Sequence, residues 1–396
     1  MEEEINSQYE IIDSHENRSL FDRLELTWLT ILKHFALFVL TFISVAFTYI
    51  YIGFAISLSL AVIFAVMLLA FLGTHEFGHY FASVHHKIRT TLPYFIPLPI
   101  FSPIGTMGAV IRIKEPVDDS KKLFDIGISG PLAGFIVSLG LLIYGFATLP
   151  GIEFVYAFPG HAALKEYVTQ FHSFPKNPIA DQGSQILMLG NTLLYSFLGS
   201  FFKHVPPMWE MYHYPFLFAG WLGLFFTALN LTPVGQLDGG HVIYALLGHE
   251  KHKQVARGFF GILSVLSGLG VVPVLRDELI GYNPSLGPLS WVIWGILLFF
   301  MLRKAFNNEH NWIAPIWGGA LISSALLLYL IIGMNNASGY TVWLVWSLFI
   351  LFFVKIEHPP VIIERPLDKT RIVLGWLSML IFILCISPNP MYILNS

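Results

Sequence analysis

Long uninterrupted apolar stretches, not alternation, dominate this chain. The first, Trp28–Tyr51, has 24 residues, or about 36 Å as a helix. That exceeds the roughly 30 Å hydrocarbon core of a bilayer. Further stretches cover about 53–84, 122–149, 213–232, 256–275, 289–306, 313–334, 340–356 and 370–388. The pattern predicts nine crossing helices. A tenth run, Ile186–Phe202, is short enough to lie in the interface or re-enter. Between the second and third stretches, prolines at 93, 97, 99 and 103 exclude a continuous helix. Gly105–Lys114 then reads as a strand, alternating at its end as Val110, Ile111, Arg112, Ile113, Lys114. The expected fold is an all-α polytopic membrane protein of about nine helices with one short membrane-associated β-hairpin.

Composition agrees. Of 396 residues 55% are hydrophobic and only 12% charged, against about 25% charged in soluble domains. A soluble enzyme of this size would lack charge to cover its surface. The net charge of −3 supplies no basic field for phosphate, so no nucleic-acid partner is expected. A single cysteine, Cys385, precludes an internal disulfide.

The charges that exist are placed unevenly. With nine crossings, 17 Lys and Arg fall on one side and 4 on the other, with Lys33 inside the first stretch. The positive-inside rule puts the N-terminus in the cytoplasm. Residues 1–27, with eight acidic and two basic residues, read as a solvated tail and not as a cleavable signal. If 186–202 crossed, everything after it would invert and the asymmetry would be lost.

Ionisable groups inside a bilayer are costly and point to function. The second stretch carries His75-Glu76-Phe77-Gly78-His79, an H-E-x-x-H sequence expected about 0.02 times by chance at this composition. Histidines at i and i+4 share one helix face and can reach one Zn²⁺, and Glu76 is placed to take a proton from metal-bound water. The bland alternative is three polar groups satisfied by hydrogen bonds within a bundle. A catalytic zinc wants a third protein ligand. Asp238, in Asn230-Leu-Thr-Pro-Val-Gly-Gln-Leu-Asp238-Gly-Gly-His241, is the candidate. It follows the fourth stretch on the side of the bilayer where the nine-crossing topology also places the histidines. Its alternative role is a helix-capping aspartate.

These two motifs resemble the paired signature of the site-2 protease family of intramembrane zinc metalloproteases, and Gly130-Pro131-Leu132-Ala133-Gly134 resembles that family's glycine motif between them. The resemblance covers about 50–245. It implies a three-helix catalytic core around one Zn²⁺ per chain, with His75, His79 and Asp238 as ligands and Glu76 as base. It also implies that Asn230 positions substrate or serves the oxyanion; an interhelical hydrogen bond is the equal alternative. The strand Gly105, Thr106, Met107, Gly108, Ala109 and Val110 stands where the family has a membrane-associated β-structure. A substrate strand would add to its edge, unless the hairpin only braces the core.

The domain reading is then a cytoplasmic acidic tail (1–27), a first transmembrane helix (28–52), the protease core (53–245, with 150–212 extracytoplasmic or re-entrant) and additional helices (246–396). The expected activity is hydrolysis in or near transmembrane segments of membrane-anchored proteins, such as the tethered regulators that family members cut. The expected location is a bacterial-type cell (inner) membrane. A transporter or metal-handling protein using the His/His/Asp site is the alternative, and a catalytically dead scaffold a third. Of the other histidines, His34 is expected to be packed, and His85 and His86 to meet water and headgroups. A fourth-ligand role for His241 is not expected. His161, His172, His204 and His213 would bind metal only if the fold happened to gather them.

Overall fold

The structure, a computed structural model, describes residues 27–179, 185–333 and 339–395. The acidic tail, apart from Thr27, lies outside the described residues. Helix α1 (Trp28–Tyr51) begins where the Thr27 hydroxyl accepts from the Thr30 amide at 3.2 Å. Ser57 caps α2 (Leu58–His85) in the same way, through the Leu60 amide at 3.3 Å. Each cap satisfies an amide that has no partner within the helix.

Strands β1 (Tyr94–Pro97) and β2 (Thr106–Val110) form the expected hairpin, antiparallel, with Tyr94 opposite Val110 and Phe95 opposite Ala109. Then come α3 (Ser120–Ala147), α4 (Ala162–Phe171), β3 (Gln185–Leu189), α5 (Leu193–Gly199), α6 (Pro215–Asn230), α7 (Asp238–Leu247) and α8 (His249–Tyr282). The chain continues through α9 (Leu289–Ala305), α10 (His310–Leu326), α11 (Val342–Phe349), α12 (Lys369–Cys385) and β4 (Met391–Asn395).

Among the described residues a helix stands on each of the apolar stretches, but only six are long and apolar enough to cross a membrane. Helix α6 has 16 residues and α12 has 17, about 25 Å each. Length alone therefore supports six crossings, and nine is not established. The run 186–202 is no crossing helix. It splits into β3 and the 7-residue α5, and β3 pairs antiparallel with β4, Gln185 opposite Asn395. Nothing in the apolar pattern foretold that second sheet.

The described residues pack as two compact units interleaved along the chain. One comprises the chain up to Leu142 with His213–Gly223 and Val361–Leu367; the other comprises Ile143–Tyr212, Leu224–Pro360 and the residues from Asp368 onward. In the first, Tyr49 stacks on Phe64 at 4.1 Å and Phe64 on Phe218 at 5.2 Å. Its 361–367 strap is tied down by Arg365, paired with Asp119 at 3.0 Å.

The second unit is centred on Phe260, Trp294, Leu298, Trp343 and Ile350. At its edge Arg257, 1% exposed, donates to Glu357 at 2.9 Å and to Glu309 at 2.8 Å. Its guanidinium also lies 5.5 Å from the Phe306 ring and 5.4 Å from Trp312. A charge so buried is tolerable only when paired this fully.

Candidate metal centre

In the first unit, the helical repeat of α2 brings His75 Nε2 and His79 Nε2 to 3.2 Å, with both side chains buried. His79 Nδ1 lies 2.7 Å from the Ile126 carbonyl. A carbonyl only accepts, so the neutral ring carries its proton on Nδ1 and a lone pair on Nε2. This is how metal-binding imidazoles are held in one tautomer by an outer hydrogen bond. Two ring nitrogens this close need a proton or a cation between them, and the donor set fits zinc.

The close approach of α3 depends on glycine. A Cβ at Gly130 would lie 2.1 Å from His79 Nε2, and one at Gly134 3.2 Å from His75 Nδ1. On the facing helix, a Cβ at Gly78 would meet the Ser129 carbonyl at 2.6 Å.

Glu76, one residue from His75, is buried too, and its Oε2 accepts from the Ile111 amide at 2.8 Å. Ile111 directly follows β2, so the carboxylate sits at the end of that strand. The hairpin has only these two strands, so among the described residues no third strand covers the other edge of β2. Of its residues, Met107 and Val110 face outward, at 67% and 48% exposure. Thr106 and Ala109 are buried; the Thr106 hydroxyl donates to Ile96 O at 2.8 Å and accepts from the Gly108 amide at 2.9 Å. Gly105, at φ +75°, lies so close to α1 that a Cβ would meet Ser44 O at 2.6 Å. Thus Gly105, Thr106, Gly108 and Ala109, all buried, shape the hairpin, while Met107 and Val110 line its open side.

Beside the motif an apolar groove of about 600 Å³ runs between α1 and α2, lined by Phe38, Val66, Gly73, Thr74, Phe77 and Phe95 among others. His34 is packed as expected, its Nδ1 donating to Pro93 O at 2.9 Å. His86 differs from expectation. Its Nε2 is 2.8 Å from Asp125 on α3, a partner that the 39-residue separation hid.

In the second unit, Asn230 ends α6 and Asp238 opens α7, where the positive end of the helix dipole favours a carboxylate. The intervening loop is tight. A Cβ at Gly239 would lie 2.0 Å from Leu231 O and one at Gly240 2.2 Å from Gly235 O. Gly235, at φ +54°, donates its amide to Ile356 O at 2.9 Å, and a Cβ there would meet Lys355 O at 2.0 Å. The 355–358 segment therefore braces the Asp238 loop, and His241 packs its ring 5.1 Å from His358. Sequence reasoning missed this brace entirely; the positive-φ glycine in the motif was the one available signal. The structure thus gathers His75, Glu76, His79 and Ile111 in one unit, and Asn230 and Asp238 on one loop of the other.

A family model described as Peptidase family M50 matches residues 63–269. The chain is 30% identical over 259 residues to a protein of Oryza sativa subsp. japonica named "Probable zinc metalloprotease EGY1, chloroplastic", covering 65% of this chain and 38% of the relative. The Arabidopsis thaliana protein of the same name is 29% identical, covering 64% and 39%. "Probable zinc metalloprotease EGY2, chloroplastic" of Oryza sativa subsp. indica is 26% identical, covering 67% and 42%. The chain thus spans about two fifths of the length of these curated relatives. No solved structure matches. Six apolar helices of crossing length, together with the family match, make this a multi-pass membrane protein.

Proposed function

The chain belongs to peptidase family M50, and on that premise we propose that it is an intramembrane zinc metalloprotease acting on membrane-anchored proteins. The observation that carries the reading is the buried His75–His79 pair at 3.2 Å with Glu76 between them, bonded to the end of an open-edged strand. His75, His79 and Asp238 would hold one zinc, which when bound supplies Lewis acidity and a water of lowered pKa. Glu76 takes the proton of the attacking water and passes it to the leaving amine. Its bond to the Ile111 amide fixes the carboxylate where a strand-paired peptide would arrive.

A transmembrane helix hides its amides, so a substrate must unwind before cleavage. The open edge of β2, beside the exposed Met107 and Val110, offers backbone pairing to the extended form. The apolar groove beside Thr74 and Phe77 offers a path for the segment still in the bilayer. Asn230 donates its side-chain amide to the developing oxyanion.

The core is α2, α3 and α6 with the hairpin, within 53–245, and the helices from 246 onward support it. The asymmetry of basic residues supports an N-terminal side in the cytoplasm of a bacterial-type cell. The stroma would be the equivalent face if, as the relatives' names say of them, the setting is a chloroplast.

The ligand set is tested by zinc content and cleavage together. His79→Ala and Asp238→Ala should each remove the same ion and the same activity, and the double variant should lose no more, because groups acting as a unit are not additive. Additive loss of two ions would assign Asp238 elsewhere. Metal flux through proteoliposomes without any proteolysis would favour a transporter.

A further inference from the structure

Contacts between α2 and α3 advance along one helix as they retreat along the other. His86 meets Asp125, Gly78 approaches Ser129 and His75 approaches Gly134, so the two helices are antiparallel. Glycines let the backbones come close, but a seam of glycine is smooth and does not oppose sliding. Directional hydrogen bonds do. One joins His79 Nδ1 to Ile126 O at 2.7 Å. The other joins Nε2 of His86, the residue that closes α2, to Asp125 Oδ2 at 2.8 Å.

The two bonds grip α3 from opposite directions. His79 and His86 are seven residues apart, so they share a helix face about 10.5 Å apart along the axis. Their partners on α3 are neighbours in sequence. A helix carbonyl points toward the C-terminus, whereas a side chain leans toward the N-terminus. Ile126 therefore reaches one way along α2 and Asp125 the other. The Ile126 carbonyl is held further by the Ser129 hydroxyl, which donates to it at 2.9 Å. The His86 and Asp125 side chains are only 17% and 22% exposed. A hydrogen bond to a carboxylate is strong for its kind, and partial shielding preserves that strength.

We propose that His86 and Asp125 are positioning residues of the metal centre: their bond holds α3 in the register at which the Ile126 carbonyl fixes the His79 tautomer. A slip of one residue moves a carbonyl by about 1.5 Å and turns it by about 100°, which breaks the His79 bond. The imidazole can then carry its proton on Nε2, where no lone pair remains for a metal. Both residues act through His79, and their role rests on His79 being a zinc ligand, as proposed above.

The test is the zinc Kd of full-length protein in detergent, by competition with a chromophoric chelator, together with the visible spectrum of the Co²⁺-loaded protein. His86→Leu and Asp125→Ala should each weaken zinc by about tenfold, the lower end of what loss of a ligand's outer support costs. The double variant should lose no more than either single one, since the two side chains make one bond. His86→Gln and Asp125→Asn can still hydrogen-bond across the seam and should restore most of the affinity. The Co²⁺ spectrum should change in the two broken variants and not in the two conservative ones. Asp125→Ala, at a partly exposed site, keeps the test decisive if His86→Leu does not fold. A lowered Tm with unchanged zinc Kd and Co²⁺ spectrum would make the pair merely structural and overturn the proposal. Zinc held by His79→Ala as tightly as by wild type would remove the metal reading and the proposal with it. Loss at His79→Ala with none at His86→Leu and Asp125→Ala would overturn the proposal alone.

Discussion

At the scale of single residues, the centre is governed by how near two helices come. The Ile126 carbonyl fixes the His79 tautomer, and Gly130 leaves the space that the ring fills. Gly130→Ala places a methyl 2.1 Å from Nε2, and the ring cannot swing away without losing its carbonyl. Zinc affinity should fall about 10- to 100-fold, the usual effect of disturbing a ligand's support, with a stability loss of about 1–3 kcal/mol from overpacking. Equilibrium dialysis and thermal melts measure the two, and unchanged zinc affinity would remove the packing argument. The His75–His79 pair was legible because i, i+4 spacing depends on the helical repeat alone. The Glu76–Ile111 bond was not, since it joins residues 35 apart and nothing in either residue type announces it.

At the scale of elements, two ionisable groups give opposite pH signatures. Glu309 is held down to about 2, first by its hydrogen bond from Arg257. A depressed carboxyl contributes stability above its unfolded pKa and loses it as pH falls through the folded value. The α8 to 306–310 connection should therefore hold at pH 5 and weaken progressively from about pH 4.5 toward 2. Glu309→Gln should flatten that part of the melting-temperature curve.

Glu210 is raised to about 8 by burial, so in metal-free protein its contribution is present below about 4.5 and is lost as pH rises toward 8. The groups facing it in the same unit are His161, at 3.5 Å, and Tyr212, whose hydroxyl is pushed up first by burial and then by the Glu210 charge. Metal-free wild type should lose stability over that window and Glu210→Gln should not, which hydrogen exchange of α4 would report. The helices themselves were legible from apolar runs, and the hairpin from its prolines and glycines. The pairing of β3 with β4 was not. Its strands lie about 200 residues apart, and four apolar residues and an asparagine after a Pro-Asn-Pro turn carry no record of their partner.

At the scale of the whole molecule, the two motifs lie in different packing units. The 355–358 brace connects the later helices to the Asp238 loop, through Gly235 and the Arg257 ion pairs of Glu357. Gly235→Ala, at φ +54° and against Lys355 O, should destabilise the protein by several kcal/mol and lower cleavage at unchanged His75–His79 geometry. A wild-type melting temperature for that variant would deny the brace its role. The sequence motifs pointed to the active chemistry, but the support of the aspartate loop depends on backbone contacts more than 100 residues away.

The central claim, that Glu76 is the base of a zinc peptidase, is tested most directly by Glu76→Gln in protein reconstituted with a single-span membrane substrate. The variant should keep wild-type zinc content and lose cleavage by about 10²–10⁴-fold, the usual contribution of a general base. Cleavage at the wild-type rate with zinc retained would contradict the account.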